Sequence, residues 1–375
     1  MDCKEMVSRI TVVVNRDFLS RSPLEIISDM GIHTMHHFIG RAPVLNEKRG
    51  IVKAILNRNS NIIARPVDVV TFLVEKDLEL QALQLVSDKF KLNISGSGSV
   101  YSEIVSIKRD NGGLRVHSKL SQPEKGISMQ TQLTGICCIV LRGDGDTVAR
   151  IALETGSCVP TVTFGKGAGL RDRLGLWRIA VPAEKEIVKM VVNSYESEEI
   201  MNIIADTLRL DQPGRGFIYS FPVSRGLINM KVSSENRSQA ASMEQVIIAL
   251  DELKGGTEWR RRRLSGMLQE RRRRILSNLS EIVLFSDEGN VEEYVKVAMD
   301  AGAPGATVTE YRHISNHEND AISPAREKCS IILPAGSVDN VVEELEIKGV
   351  FDNNNSNDLI TTPVPGALTY AISEQ

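Results

Sequence analysis

This 375-residue chain has little cysteine, few aromatics and no excess of charge of either sign. Its five cysteines, Cys3, Cys137, Cys138, Cys158 and Cys329, form no C-x-x-C pair and no metal-ligand spacing. That excludes a disulfide framework or zinc ribbon and reads the thiols as reduced and mostly buried. Aromatic residues are 5% of the chain and do not interleave its basic segments, so base stacking has no support. No run of 18 apolar residues exists, so no transmembrane helix is predicted. The N-terminal MDCKEMVSRITVVV lacks the apolar core and cleavage site of a signal peptide, which gives cytoplasmic residence as the expectation. The net charge of −3 argues neither for nor against an anionic partner. Paired catalytic carboxylates and a Ser-His-Asp or Cys-His pattern are also absent, so the expectation is a protein that is not an enzyme and holds no metal.

What is present is ordinary in bulk and distinctive in pattern. Apolar content of 42% and charged content of 25% suit a globular chain of two to three domains. SGSGSVYSEIV at Ser95–Val105 and PGRGFIYSFPV at Pro213–Val223 share the form Gly-x-Gly-x-[Val/Ile]-Tyr-Ser-x-x-Val. A weaker echo, NSNDLITTPV, ends at Val364 without glycines. Gly31, Gly156 and Gly302 each follow an amphipathic stretch and precede, by nine residues, Gly40, Gly165 and Tyr311. Fixed offsets of this kind signal internal repetition. Strand and helix periodicities then predict an α+β fold of three tandem ferredoxin-like βαββαβ modules. The expected divisions are module 1 over 1–109, a linker over 110–134, module 2 over 135–231, a linker with a basic helix over 232–278, and a degenerate module 3 over 279–375.

TVTFGKGAG (Thr161–Gly169) and PGRGFIYSFPVSR (Pro213–Arg225) resemble the second strand and phosphate loop of the PII-type nitrogen regulatory family, in a divergent branch with a trimmed effector loop. The family's usual form is a homotrimer with nucleotide sites between subunits. The resemblance therefore implies an intramolecular pseudo-trimer acting as a monomer in signal transduction, regulating a partner such as a transporter or metabolic enzyme. It implies a ligand site at Gly96, Gly98, Gly165, Lys166, Gly167, Gly214, Arg215, Gly216 and Arg225, with an adenine nucleotide or other small anion as candidate ligand. The chain departs from the family where a phosphate-binding lysine is expected, at Ser99 and Phe217, and where arginines are expected, at Ile228 and Met230.

Two arginine blocks, Arg260, Arg261, Arg262 and Arg263, then Arg271, Arg272, Arg273 and Arg274, lie eleven residues apart, about three helical turns. They read as a docking surface for a partner protein or as a solvated helix paired with acids such as Glu258 and Glu270; nucleic acid is disfavoured. A ligand-free scaffold, or an anion- or nucleic-acid-binding protein acting through these blocks, is the alternative function. His36 and His37 point to opposite faces of one strand, which disfavours joint metal ligation.

Overall fold

The computed structural model describes residues 5–45, 62–94, 96–109, 115–124, 126–155, 159–169, 183–228, 275–315, 324–352 and 356–369. Among the described residues each third of the chain contributes four long strands and two helices. In the first third these are β1 (Glu5–Asn15), α1 (Pro23–Ser28), β2 (Thr34–Leu45), β3 (Ile62–Glu75), α2 (Glu79–Lys89) and β4 (Gly98–Arg109). A short β5 (Val116–His117) follows. The second third holds β6 (Leu133–Leu141), α3 (Gly145–Glu154), β7 (Thr161–Gly169), β8 (Ala183–Asn193), α4 (Ser197–Leu208), β9 (Gly216–Val223) and β10 (Arg225–Leu227). The last holds β11 (Leu279–Asp287), α5 (Val291–Asp300), β12 (Gly305–Ser315), β13 (Ala325–Pro334), α6 (Val338–Ile347), β14 (Asp358–Val364) and β15 (Ala367–Thr369).

These strands do not form three ferredoxin-like modules, and the expectations of a tandem-repeat fold and a pseudo-trimer of such modules are corrected. All fifteen strands belong to one hydrogen-bonded sheet, and nine close into an antiparallel barrel with six further strands attached. The reason is edge saturation. A four-stranded sheet leaves two rows of unpaired N–H and C=O groups. Here those rows pair across the thirds: β14 with β4, β12 with both β2 and β7, β10 with β4, and β15 with β9. The barrel closes because β2 also pairs with β3 over Leu45↔Ile62 to His36↔Thr71.

Burial on both faces of the shared sheet explains a pattern that alternation alone does not. Strands such as β6 (LTGICCIVL) are buried on both faces and so read as continuous apolar runs. Ile136, Cys138 and Val140 pack outward under α3 and α4 with Val148, Ile200 and Ile204. Cys137 and Ile139 face inward with Tyr219 and Phe221. The same split places Ile10, Val12 and Val14 under α2, and Ile282 and Leu284 under α6. Their inward neighbours are Arg9, Thr11 and Val13 on β1, and Glu281, Val283 and Phe285 on β11. The barrel interior therefore receives whatever those alternate positions carry.

The 110–134 segment contributes structure of its own. His117 Nε2 accepts from the backbone N–H of His33 at 3.0 Å, and its Nδ1 lies 2.9 Å from the Leu73 carbonyl. These contacts pin β5 beside β3. Among the described residues no helix is long and apolar enough to cross a membrane.

Candidate functional site

The inward positions enclose a cavity of about 140 Å³. Its wall comes from all three thirds, with Arg9, Val13 and Glu103 from the first, Ile187 and Lys189 from the second, and Phe285 and Lys328 from the third. Thr11, Thr71, Thr161, Thr163 and Thr309 supply hydroxyls around it.

The charges inside are the site's main property. Arg9 is 6% exposed and pairs with Glu103, its Nη2 donating to Oε2 at 2.7 Å and its Nε to Oε1 at 3.2 Å. Burial works against the Arg9 charge, but Glu103 and Glu281 outweigh it and raise the guanidinium pKa. Glu281 is 3% exposed and accepts from Tyr219 Oη at 3.1 Å. Burial opposes its charge too, yet Lys328, Lys189 and Arg9 hold its pKa below the usual value, so it stays ionised. Lys189 lies over the Phe221 ring, 5.5 Å from the centroid. Burial, followed by the nearby Lys189, pulls Lys328 down to about 8. His36 is packed against Phe285 and Tyr311 at 4.6 Å from each ring, and burial keeps it neutral.

Arg9, Lys189 and Lys328 are thus set against Glu103 and Glu281, and Arg65, the fourth cation of the wall, against Asp17 at 3.5 Å, leaving one positive charge in excess. Among the described residues neither lysine has a carboxylate within ion-pair distance or donates a hydrogen bond to protein; charges reach both only through space. A part-buried ammonium that donates no hydrogen bond to protein is costly unless something in the cavity answers it. The arrangement suits binding of an anion. Among the described residues no group of three His, Cys, Asp or Glu side chains converges for a metal.

The sequence-derived candidates are scattered. Gly96 and Gly98 lie on the cavity wall beside Ser99. Gly98 has φ +154, and a Cβ there would sit 2.1 Å from the Val13 carbonyl, so the glycine is needed for close strand approach. Gly216 has the same role at the start of β9, where a Cβ would meet the Ile139 carbonyl at 2.5 Å. Gly214 precedes it, and Arg215 between them is exposed. Gly165 lies at the β7–β12 crossing, where a Cβ would meet the Val308 carbonyl at 2.8 Å, and Gly167 pairs with Thr307. Lys166 is bound to Glu310 at 2.9 Å. Arg225 lies on β10 with its Nε 3.6 Å from Glu79. Phe217, at the expected lysine position, stacks on Tyr219. Both arginine blocks lie outside the described residues.

Arg9, Lys189, Glu281 and Lys328 are absent from the sequence-derived candidates. Their signal was a charge set among continuous apolar residues, as Lys189 is in IVKMVV and Arg9 in RITVVV.

A second polar cluster sits outside the barrel. Arg16 donates to both Asp68 oxygens, at 2.7 and 2.6 Å, and His37 Nε2 lies 2.6 Å from Oδ1. Burial opposes the Asp68 charge, but the bonds from His37 and Arg16 prevail and its pKa falls to about 2.

No family model matches the chain, and no curated protein does. Among solved structures, an aspartate kinase from Synechocystis overlaps 97% of this chain and 45% of its own length, at 7% identity and a TM-score of 0.22. The chain thus spans under half of that kinase, and a likeness this weak carries no argument about either fold or activity. With the ferredoxin-like repeat corrected and no comparison pointing to nitrogen regulation, that assignment is withdrawn.

Proposed function

We propose that the chain is a regulatory protein that binds a small anion between the three thirds of its sequence and acts through a partner protein rather than by chemistry. The observation that carries this reading is the cavity walled by all three thirds, where Arg9, Lys189 and Lys328 outnumber the nearby Glu103 and Glu281. A ligand held there touches strands from the whole chain, so its binding energy bears on the packing of every segment. Thermal melting of the full chain against a broad panel tests the reading: small carboxylates, inorganic phosphate, adenine nucleotides and cyclic nucleotides. A ligand at a hundred times its Kd stabilises the folded state by about 2.7 kcal/mol, and at least one anion is expected to raise the melting temperature by several degrees. If no anion in the panel does, the reading is wrong.

One observation favours a ligand-free scaffold instead. Lys166 and Arg225, both expected to grip a ligand, are engaged by Glu310 and Glu79. A flat response to the whole panel is the result that the scaffold predicts.

A further inference from the structure

We propose that the ammonium groups of Lys189 and Lys328 clamp the carboxylate of a short, apolar-tailed monoanion in the cavity shared by the three thirds. This rests on the reading of the cavity as a ligand site and names its ligand class and grip. Four observations converge on it. Both lysines line the cavity and neither has a hydrogen-bonding partner among the described residues. The third cation, Arg9, is occupied by Glu103. The excess is one charge, which matches a monoanion better than a dianionic phosphate. The wall also carries Phe38, Val69, Ile187 and Phe285, which are available to an aliphatic tail.

Size sets the class more narrowly. The cavity is about 140 Å³. An apolar cavity of about 150 Å³ accepts a molecule of roughly six non-hydrogen atoms, such as benzene. A nucleotide is several times larger and would fit only in part. A four-carbon carboxylate has six non-hydrogen atoms and presents one charged end and one apolar end.

Binding is coupled to a proton. Lys328 faces Lys189 from β8, Glu281 from β11, Arg9 from β1, Cys137 from β6 and the neutral His36 from β2. A bound carboxylate favours the charged form of Lys328, so affinity is highest where that ammonium is protonated and falls as pH rises past about 8.

Calorimetry on the full chain tests this with acetate, butyrate, inorganic phosphate and chloride at pH 7 and pH 9, for wild type, Lys189→Met and Lys328→Met. Each variant is first shown to melt cooperatively. Wild type is expected to prefer butyrate over the other three and to lose roughly tenfold in affinity between the two pH values, the loss expected for one titrating group. Each variant is expected to weaken butyrate at pH 7 by at least about tenfold, the cost of one charge-assisted contact, and Lys328→Met to lose the pH dependence. Phosphate or chloride binding more tightly than butyrate overturns the ligand class. Butyrate binding that neither variant alters overturns the clamp. If a nucleotide or another anion from the broad panel binds while butyrate does not, this inference falls and the regulatory reading stands. If nothing in that panel binds, both fall.

Discussion

Lys328 shows how a single residue can be unfavourable to the empty fold and useful to the occupied one. Its pKa is drawn from 10.5 to about 8, first by burial and then by Lys189. A base with a depressed folded pKa binds fewer protons folded than unfolded between those two values. Stability therefore rises with pH across that window, and the penalty is full below pH 8. Its size is on the order of 3 kcal/mol. Lys328→Met should remove it, making the empty protein more stable at pH 7 and flattening its stability profile between pH 8 and 10.5 in urea titrations. Arg9 behaves in the opposite way. Arg9→Met strands Glu103, which is 2% exposed, and should cost about 3–5 kcal/mol because it leaves a buried charge uncompensated. Denaturant melts at pH 7 separate the two substitutions by sign.

At the scale of elements, Glu186 on β8 holds the start of α3. No side chain caps that helix at Asp144. Instead Glu186 Oε2 accepts from the backbone N–H groups of Gly143 at 3.0 Å and Gly145 at 2.7 Å. Its other oxygen accepts from Arg41 of β2 at 3.0 Å, and Arg41 also pairs with Asp146. Glu186→Ala removes all three bonds and should cost about 2–4 kcal/mol. Glu184→Ala, which breaks only the exposed pair with Arg142, should stay within about 1 kcal/mol. Asp68 gives an acid counterpart. Its depressed pKa contributes stability above the unfolded value of 3.8, lost as pH falls toward about 2. The loss is about 2 kcal/mol and should shrink in Asp68→Asn, as read by acid unfolding followed by circular dichroism.

These elements were largely legible in the sequence, and their caps and partners were not. Ser197–Leu208 has helical spacing of Ile200, Ile203 and Ile204, and it is α4. The opposite faces of His36 and His37 follow from strand alternation, and the two rings do lie apart, one against Phe285 and one against Asp68. No neighbouring side chain caps α3 at Asp144, and a carboxylate 41 residues beyond Gly145 does that work. Pairing across the thirds was equally invisible, because a strand's edge carries no side-chain signature of which strand will cover it. The cavity lysines were hidden for a related reason. A lone Lys in an apolar strand reads as an imperfect period until both faces are known to be buried.

At the scale of the whole molecule, one sheet and one lumen make the thirds interdependent. Residues 135–228 alone would expose Cys137, Ile139, Tyr219 and Phe221, and would unpair β9 from β15. Such a fragment is expected to associate or aggregate. Calorimetric melting of the full chain should give one dominant transition rather than three, since no segment keeps a complete core when its neighbours leave. Three resolved transitions would mean that the shared sheet contributes little. The central claim, that the lumen is a site for a small carboxylate, is tested most directly by a crystal structure of the full chain grown with butyrate at pH 7. The account predicts density for the carboxylate between Lys189 Nζ and Lys328 Nζ, with the tail toward Phe285 and Ile187. Butyrate bound elsewhere, or a lumen holding only water at saturating butyrate, would contradict it.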